Sequence, residues 1–219
     1  MFITVQAHEY KDNASLLDQM YRLRKRTFHD LLQWDVPVVG DFERDQYDDL
    51  QPAYLIWCSD DKSALYGSIR LMPTTGPTLL YDVFRDTFQN SDLVGPGIWE
   101  GTRLCIDEEK IRRDFPTIAP RRAFCLLLLA LCECALGHGI HTMISNYEPE
   151  TALVYRRSGV DVTELGRSDR HGKRPVCCGI FNVSKDVLTH MRRTLRIDLP
   201  IYTVSYPARP IASSNSYAA

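Results

Sequence analysis

The stretch that decides the fold runs from Ala119 to Asn146, APRRAFCLLLLALCECALGHGIHTMISN. Ala119 to His138 reads as a helix: Pro120 suits a first turn, and Gly137 and Gly139 suit an end. The helix is apolar on nearly all sides, so it belongs inside the molecule. Ile140 to Asn146 follows as a strand. The apolar run stops at Leu136 and carries Glu133. That is well short of the roughly 20 apolar residues a membrane span needs.

Upstream, Ile98 to Ile106 is a strand. Ala53 to Cys58 and Ala64 to Leu71 are two more, joined as a hairpin by the turn cluster Ser59 to Ser63. Phe2 to Ala7 is a short strand. Asp12 to Leu32 is an amphipathic helix that Asp12 or Asn13 can cap. Between helix and hairpin lies WDVPVVGDFERDQYDDL, Trp34 to Leu50. Pro37, Gly40 and the acidic cluster argue against regular structure there, while Trp34, Phe42 and Tyr47 favour an ordered, packed loop. Met72 to Thr78 is a rigid bend, and Leu79 to Phe88 a short helix. Downstream come a helix (Pro149 to Ser158), two strands (Val160 to Gly166, Val176 to Val183) and a helix (Ser184 to Arg196). A meander followed by a strand–helix–strand crossover predicts an α/β/α sandwich on a mixed, mostly antiparallel twisted sheet. A single domain over residues 1–200 is expected, with 201–219 a loosely ordered tail.

The composition excludes several classes. Of 219 residues, 44% are hydrophobic and 25% charged, as in globular chains. A net charge of −2 gives no global pull toward nucleic acid or an anionic membrane. No secretory signal is visible at the start. The seven cysteines lack the spacing of a zinc site and read as buried thiols of a reducing cytoplasm. No metal is expected.

Several residues carry chemical potential. Arg24 shares a helix face with Tyr21 and Phe28, with a solvated arginine as the competing reading. Asp45 and Asp48 lie in an acidic run that suits a cationic ligand or a solvated loop. Arg70, at a strand end, presents a fork for a carboxylate or a sheet-edge ion pair. Glu100 and Arg103 are three apart in one strand, so they face opposite sides unless Gly101 allows a bulge. A buried Glu100 would have a raised pKa and serve as a base. Lys110, Arg112, Arg113, Arg121 and Arg122 form a basic cluster that fits an acidic protein carrier.

These positions together resemble the LuxI-type acyl-homoserine-lactone synthases. The pattern is Arg24, Phe28 and Trp34; Asp45 and Asp48; Arg70 with Leu-Met-Pro-Thr-Thr-Gly-Pro after it; Phe84; and Trp-Glu100-xx-Arg103. Beyond Ala119 only the layout agrees. The resemblance implies the sheet of the acetyltransferase-like (GNAT) fold and an acyl transfer from acyl carrier protein, or from acyl-CoA, to the amine of S-adenosylmethionine. Ring closure then releases methylthioadenosine. S-adenosylmethionine is a substrate, and no cofactor is implied. The donor site would comprise Arg24, Phe28, Trp34, Asp45, Asp48, Arg70, Phe84 and Arg103, with Glu100, Asp45 and Arg103 as the catalytic set. A backbone N–H near the strand bulge would hold the oxyanion. Met72, Leu126, Leu129, Thr142, Ile144 and Ser145 would line the acyl slot, with Thr142 and Ser145 able to recognise a 3-oxo group. Two other readings stand beside this one. The first is a GNAT enzyme that acylates another amine from a coenzyme A thioester, although Thr117 to Cys125 lacks the glycine-rich turn that grips a pyrophosphate. The second is a non-enzymatic domain that binds an adenosyl ligand.

Overall fold

The computed structural model describes residues 1–88, 92–171 and 173–202. Of the loosely ordered tail expected over 201–219, residues 203–219 lie outside them, while Ile201 and Tyr202 are docked through their N–H groups on Glu133. Seven strands form one sheet: β1 (Phe2–Val5), β4 (Ala53–Cys58), β5 (Leu65–Pro73), β6 (Ile98–Ile106), β7 (Thr142–Tyr147), β9 (Val176–Asn182) and β8 (Thr163–Ser168), in that spatial order. All neighbours are antiparallel except β6 and β7. That parallel pair needs a crossover, and α4 (Pro120–Gly137) supplies it.

Helices cover both faces. On one, α1 (Ala14–Arg24) buries Leu16, Leu17, Met20 and Leu23 against Val5, Tyr54, Ile56, Cys58, Leu65 and Cys105. On the other, α4 packs Leu127, Leu128, Leu129 and Leu131 against Leu55, Trp57, Ile69 and Leu71. Each such leucine contributes about 1.5–3 kcal/mol when fully buried. Helices α5 (Ala152–Ser158) and α6 (Lys185–Leu195) add Tyr155, Met191 and Leu195 to that core. Ser184 caps α6 through Val187 N–H. Glu133, the charge inside α4, accepts from Arg192 and from the backbone N–H groups of Ile201 and Tyr202, so it is buried but satisfied. All seven cysteines are buried and free.

Four details differ from the sequence reading. Asn13 precedes α1 without capping it, because its amide donates to Glu9 O instead. The rest of that helix, Lys25–Leu31, widens into a π-type turn before Phe28 O accepts from Trp34 N–H. The loop after it contains a two-residue hairpin, β2 (Val38–Val39) and β3 (Phe42–Glu43), with Gly40 at φ 60°. Gly-Asp between apolar residues is a hairpin turn, and it aims Glu43 inward. Finally, α3 (Glu108–Asp114) stands where the sequence reading places no element, although its signals are local. Asp107 accepts from Lys110 N–H, acids open the helix and Arg112 and Arg113 close it.

Candidate active site

The sheet face beneath α1 carries a buried ionic network. Arg70 on β5 stands opposite Tyr54 on β4 and Thr102 on β6. Its Nε donates to Thr102 Oγ1 at 3.0 Å, Nη1 to Asp45 at 2.5 Å and Asp48 at 3.1 Å, and Nη2 to Asp45 at 3.1 Å. Arg24, at the end of α1, forks onto both Asp48 oxygens at 2.8 and 2.9 Å and reaches Glu43 at 2.5 Å. Tyr54 OH also donates to Asp48, at 2.7 Å. Three arginines, counting Arg103, meet three carboxylates almost sealed from water.

Arg103 joins them through a strand irregularity. Arg70 pairs with Thr102 but Ser68 pairs with Cys105, so Arg103 and Leu104 together oppose Ile69. Arg103 takes φ 55° there. The bulge therefore sits at Arg103, not at Gly101 as the sequence suggested. Gly101 instead leaves room for Met143, whose Cε would lie 3.3 Å from an added Cβ. The extra residue turns Arg103 onto the Arg70 face, where Nε donates to Glu43 at 3.0 Å and Nη2 to Asp45 at 2.8 Å.

The network is not equally available throughout. Asp48 is 1% exposed and Arg24 0%. The solvated readings of both fail, and so does Asp48 as a direct cation ligand, since its oxygens are filled. Burial pushes the Asp48 carboxyl up, but Arg24 and Arg70 outweigh it and hold it well below the usual range. Arg103 is different. Its Nη1 makes no hydrogen bond among the described residues, and its guanidinium lies 5.5 Å from the Phe28 ring. Burial lowers its pKa, against Glu43. Phe28 stacks on Trp34 at 5.2 Å, and Trp34 Nε1 donates to Glu148. A hollow lined by His29, Asp30, Gln33 and Trp34 opens beside that stack.

Glu100, on the same face, lies opposite Met72 and Ile144. It is 0% exposed, and its two oxygens accept from Leu79 N–H at 3.1 Å and Leu80 N–H at 2.7 Å. Burial raises its pKa to about 7, against those N–H groups and Arg70. Direct contact with a substrate amine is thus blocked in this conformation. Glu100 anchors the short helix α2 (Leu79–Asp82) and the Phe84 that follows. Phe84 packs with Tyr47, Met72 and Leu79, and Tyr47 lies 5.4 Å from the Arg70 guanidinium.

The expected acyl slot divides. Met72, Thr142 and Ile144 lie on the α1 side, whereas Leu126 and Leu129 sit in the α4 core, and strand alternation puts Ser145 there too. A single groove along one face is excluded. The two halves meet where β6 and β7 part: pairing ends at Glu100–Ile144 while β6 runs on to Ile106 and β7 to Tyr147.

The basic cluster divides as well. Lys110, Arg112 and Arg113 are paired with Asp107, Glu108 and Asp114. Among the described residues Arg121 and Arg122 form no ion pair with a carboxylate, and Arg122 donates to Leu195 O at the end of α6. That contact brings in arginines the sequence reading passed over: Arg156, Arg157, Arg193 and Arg196, all exposed. Glu43 and Tyr54 were also passed over as site residues. Glu43 was legible only as one acid of its run.

The autoinducer synthase family model matches residues 7–191. The chain is 37% identical to an acyl-homoserine-lactone synthase of Rhizobium etli, over 88% of each chain. It is 30% identical to one of Agrobacterium fabrum, over 81% of this chain and 83% of that one. Its fold matches BjaI, a CoA-dependent acyl-homoserine lactone synthase solved with SAM and isopentyl-CoA, with a TM-score of 0.79, 23% identity and 94% of each chain covered. Among the described residues no helix is long and apolar enough to cross a membrane. Fold and family match agree, and the chain belongs to the autoinducer synthase family, whose members here are acyltransferases.

Proposed function

We propose that this chain makes an acyl-homoserine lactone by acylating the amine of S-adenosylmethionine and closing the ring with loss of methylthioadenosine. The observation that carries the reading is the Arg103 guanidinium, tied to Glu43 and Asp45 through Nε and Nη2 with no hydrogen bond from Nη1 among the described residues, beside the Phe28–Trp34 stack. Arg103 Nη1 takes the methionyl carboxylate by a charge-assisted hydrogen bond. The aromatic faces of Phe28, Trp34 and Phe84 suit the sulfonium cation. Asp45, whose oxygens are taken by Tyr47 N–H, Arg70 and Arg103, adds negative charge near the ammonium from the edge of the network and offers it no free oxygen. Arg24, Arg70, Asp48 and Glu43 hold these groups in place without touching the donor.

The ammonium must lose a proton before nitrogen attacks the thioester carbon. Glu100, near pKa 7, is matched to that task and takes the proton through a water. The departing thiolate is protonated as the amide forms. The backbone left off the ladder at the Arg103 bulge is the oxyanion site. In the second step the carboxylate oxygen attacks its own γ-carbon and the sulfonium leaves as a neutral thioether, a step that needs orientation above all.

The acyl chain threads the gap between β6 and β7, from Met72 and Ile144 toward Leu126 and Leu129. The acyl donor docks on the arginine corner formed by the start of α4 and the ends of α5 and α6. Arg122 touches Leu195, and Arg157 acts on Cys125 in α4. A patch shared by three helices fits an acidic carrier protein better than one pyrophosphate. Incubation with S-adenosylmethionine and acyl-carrier or acyl-CoA mixtures, read by mass spectrometry, tests the function. Methylthioadenosine and a lactone are expected. Another acylated amine without methylthioadenosine indicates the coenzyme A acyltransferase instead, and neither product leaves an adenosyl-binding domain.

A further inference from the structure

One buried side-chain polar atom among the described residues has no hydrogen-bond partner: Asn146 Oδ1. Buried acceptors are almost always paired, so an orphan asks for an explanation. Asn146 lies on β7 two residues beyond Ile144, just past the point where β6 leaves. Alternation along the strand puts it on the Ile144 face.

Its orientation is fixed by chemistry. Nδ2 donates to Thr87 Oγ1 at 3.1 Å and to Cys177 O at 3.4 Å. Cys177 O only accepts. Thr87 spends its own proton on Phe84 O at 2.6 Å, so it too presents lone pairs. Flipping the amide would set its oxygen against two oxygens. Oδ1 is therefore the atom left over, tied to the segment that carries Phe84.

We propose that Asn146 Oδ1 accepts a hydrogen bond from a 3-hydroxyl group on the acyl chain, and that this enzyme prefers 3-hydroxyacyl donors. The inference rests on the lactone-synthase reading, which sends the chain through this gap. A 3-hydroxyl donates. A 3-oxo group only accepts and meets a like lone pair, and a methylene leaves Oδ1 unpaired. The hydroxyls of Thr142 and Ser145, offered above for a 3-oxo group, already have partners in His141 and the Asn146 carbonyl.

The test is a comparison of three acyl thioesters matched in length: 3-hydroxy, 3-oxo and unsubstituted. Each is turned over with S-adenosylmethionine by the full chain and by Asn146→Leu. For the wild type, kcat/KM for the 3-hydroxy donor should exceed that for the unsubstituted donor by ~10-fold or more, with the 3-oxo donor lowest. Asn146→Leu should bring all three within about 2-fold while still turning over the unsubstituted donor. Should that variant fail to fold, Asn146→Ala serves, and the wild-type ranking decides alone if both fail. A wild type that does not favour the 3-hydroxy donor overturns the proposal, as does a folded variant that keeps the preference. No lactone from any donor with the wild type instead sinks the synthase reading.

Discussion

Beneath α1 the sheet buries three guanidinium groups against three carboxylates, while beneath α4 it buries leucine, alanine and cysteine around a single Glu133. The apolar side draws its strength from area, and each contact is replaceable. The ionic side draws its shape from mutual satisfaction: every charge is tolerable only because its partner is present. Such a network holds a polar pocket rigid at the expense of robustness. The contrast teaches that one side of this sheet is shaped by charge and the other by packing.

The sharpest way to break that contrast is Arg70→Ala, which strands Asp45 and Asp48 without their shared cation. We expect a loss of about 3–5 kcal/mol in denaturant unfolding and no measurable lactone. Arg70→Lys should not restore activity, because a point charge cannot reach Thr102, Asp45 and Asp48 together. Leu129→Ala should cost about 2–5 kcal/mol through its cavity yet leave S-adenosylmethionine affinity unchanged in titration calorimetry. A parallel fall in that affinity would show the two sides to be coupled.

Glu100 sharpens the comparison through pH. Its pKa is raised from 4.5 to about 7 in the fold, so the folded state holds the proton more tightly than the unfolded one. Stability therefore falls as pH rises from about 4.5 through 7, by about 3 kcal/mol at most, and the slope should vanish in Glu100→Gln. Asp48 runs the other way, its contribution present above its unfolded pKa and lost as acid is added. Unfolding at pH 5 and pH 8 for wild type and variant measures the first slope. If Glu100 is also the proton acceptor, the acid limb of kcat/KM near pH 7 disappears in the same variant.

The smallest effect on stability belongs to the arginine corner. Arg121→Ala with Arg157→Ala should leave unfolding within about 0.5 kcal/mol. The same pair should raise KM for an acyl carrier several-fold at low salt, with the difference closing at high salt as the charges are screened.

Much of this was legible in the chain. Period and punctuation gave β4, β5, β6 and α4 nearly residue for residue, because each is long and strongly patterned. Helix α3 was legible but passed over, since its signals are polar and its apolar content is one buried isoleucine, Ile111. The site residues stood out as a set because Arg24, Asp45, Asp48, Arg70 and Arg103 resemble a family pattern. Their division of labour did not. Which carboxylate is filled and which guanidinium is free depends on the hairpin that turns Glu43 inward, on Tyr54 from a neighbouring strand, and on a bulge with an arginine at positive φ. Those are facts of tertiary packing. The arginines of α5 and α6 lie far along the chain from Arg121, and only the helix packing gathers them.

The bulge at Arg103 also fixes what β6 can tolerate in length. Side chains in a strand alternate with a strict parity, and the extra residue shifts that parity once, between Thr102 and Cys105. Deleting one residue there would restore an even count and swing a guanidinium through the sheet into the leucine layer. Adding one would misplace Cys105 and Ile106 in the same manner. This short span is thus where insertions and deletions should be least forgiven.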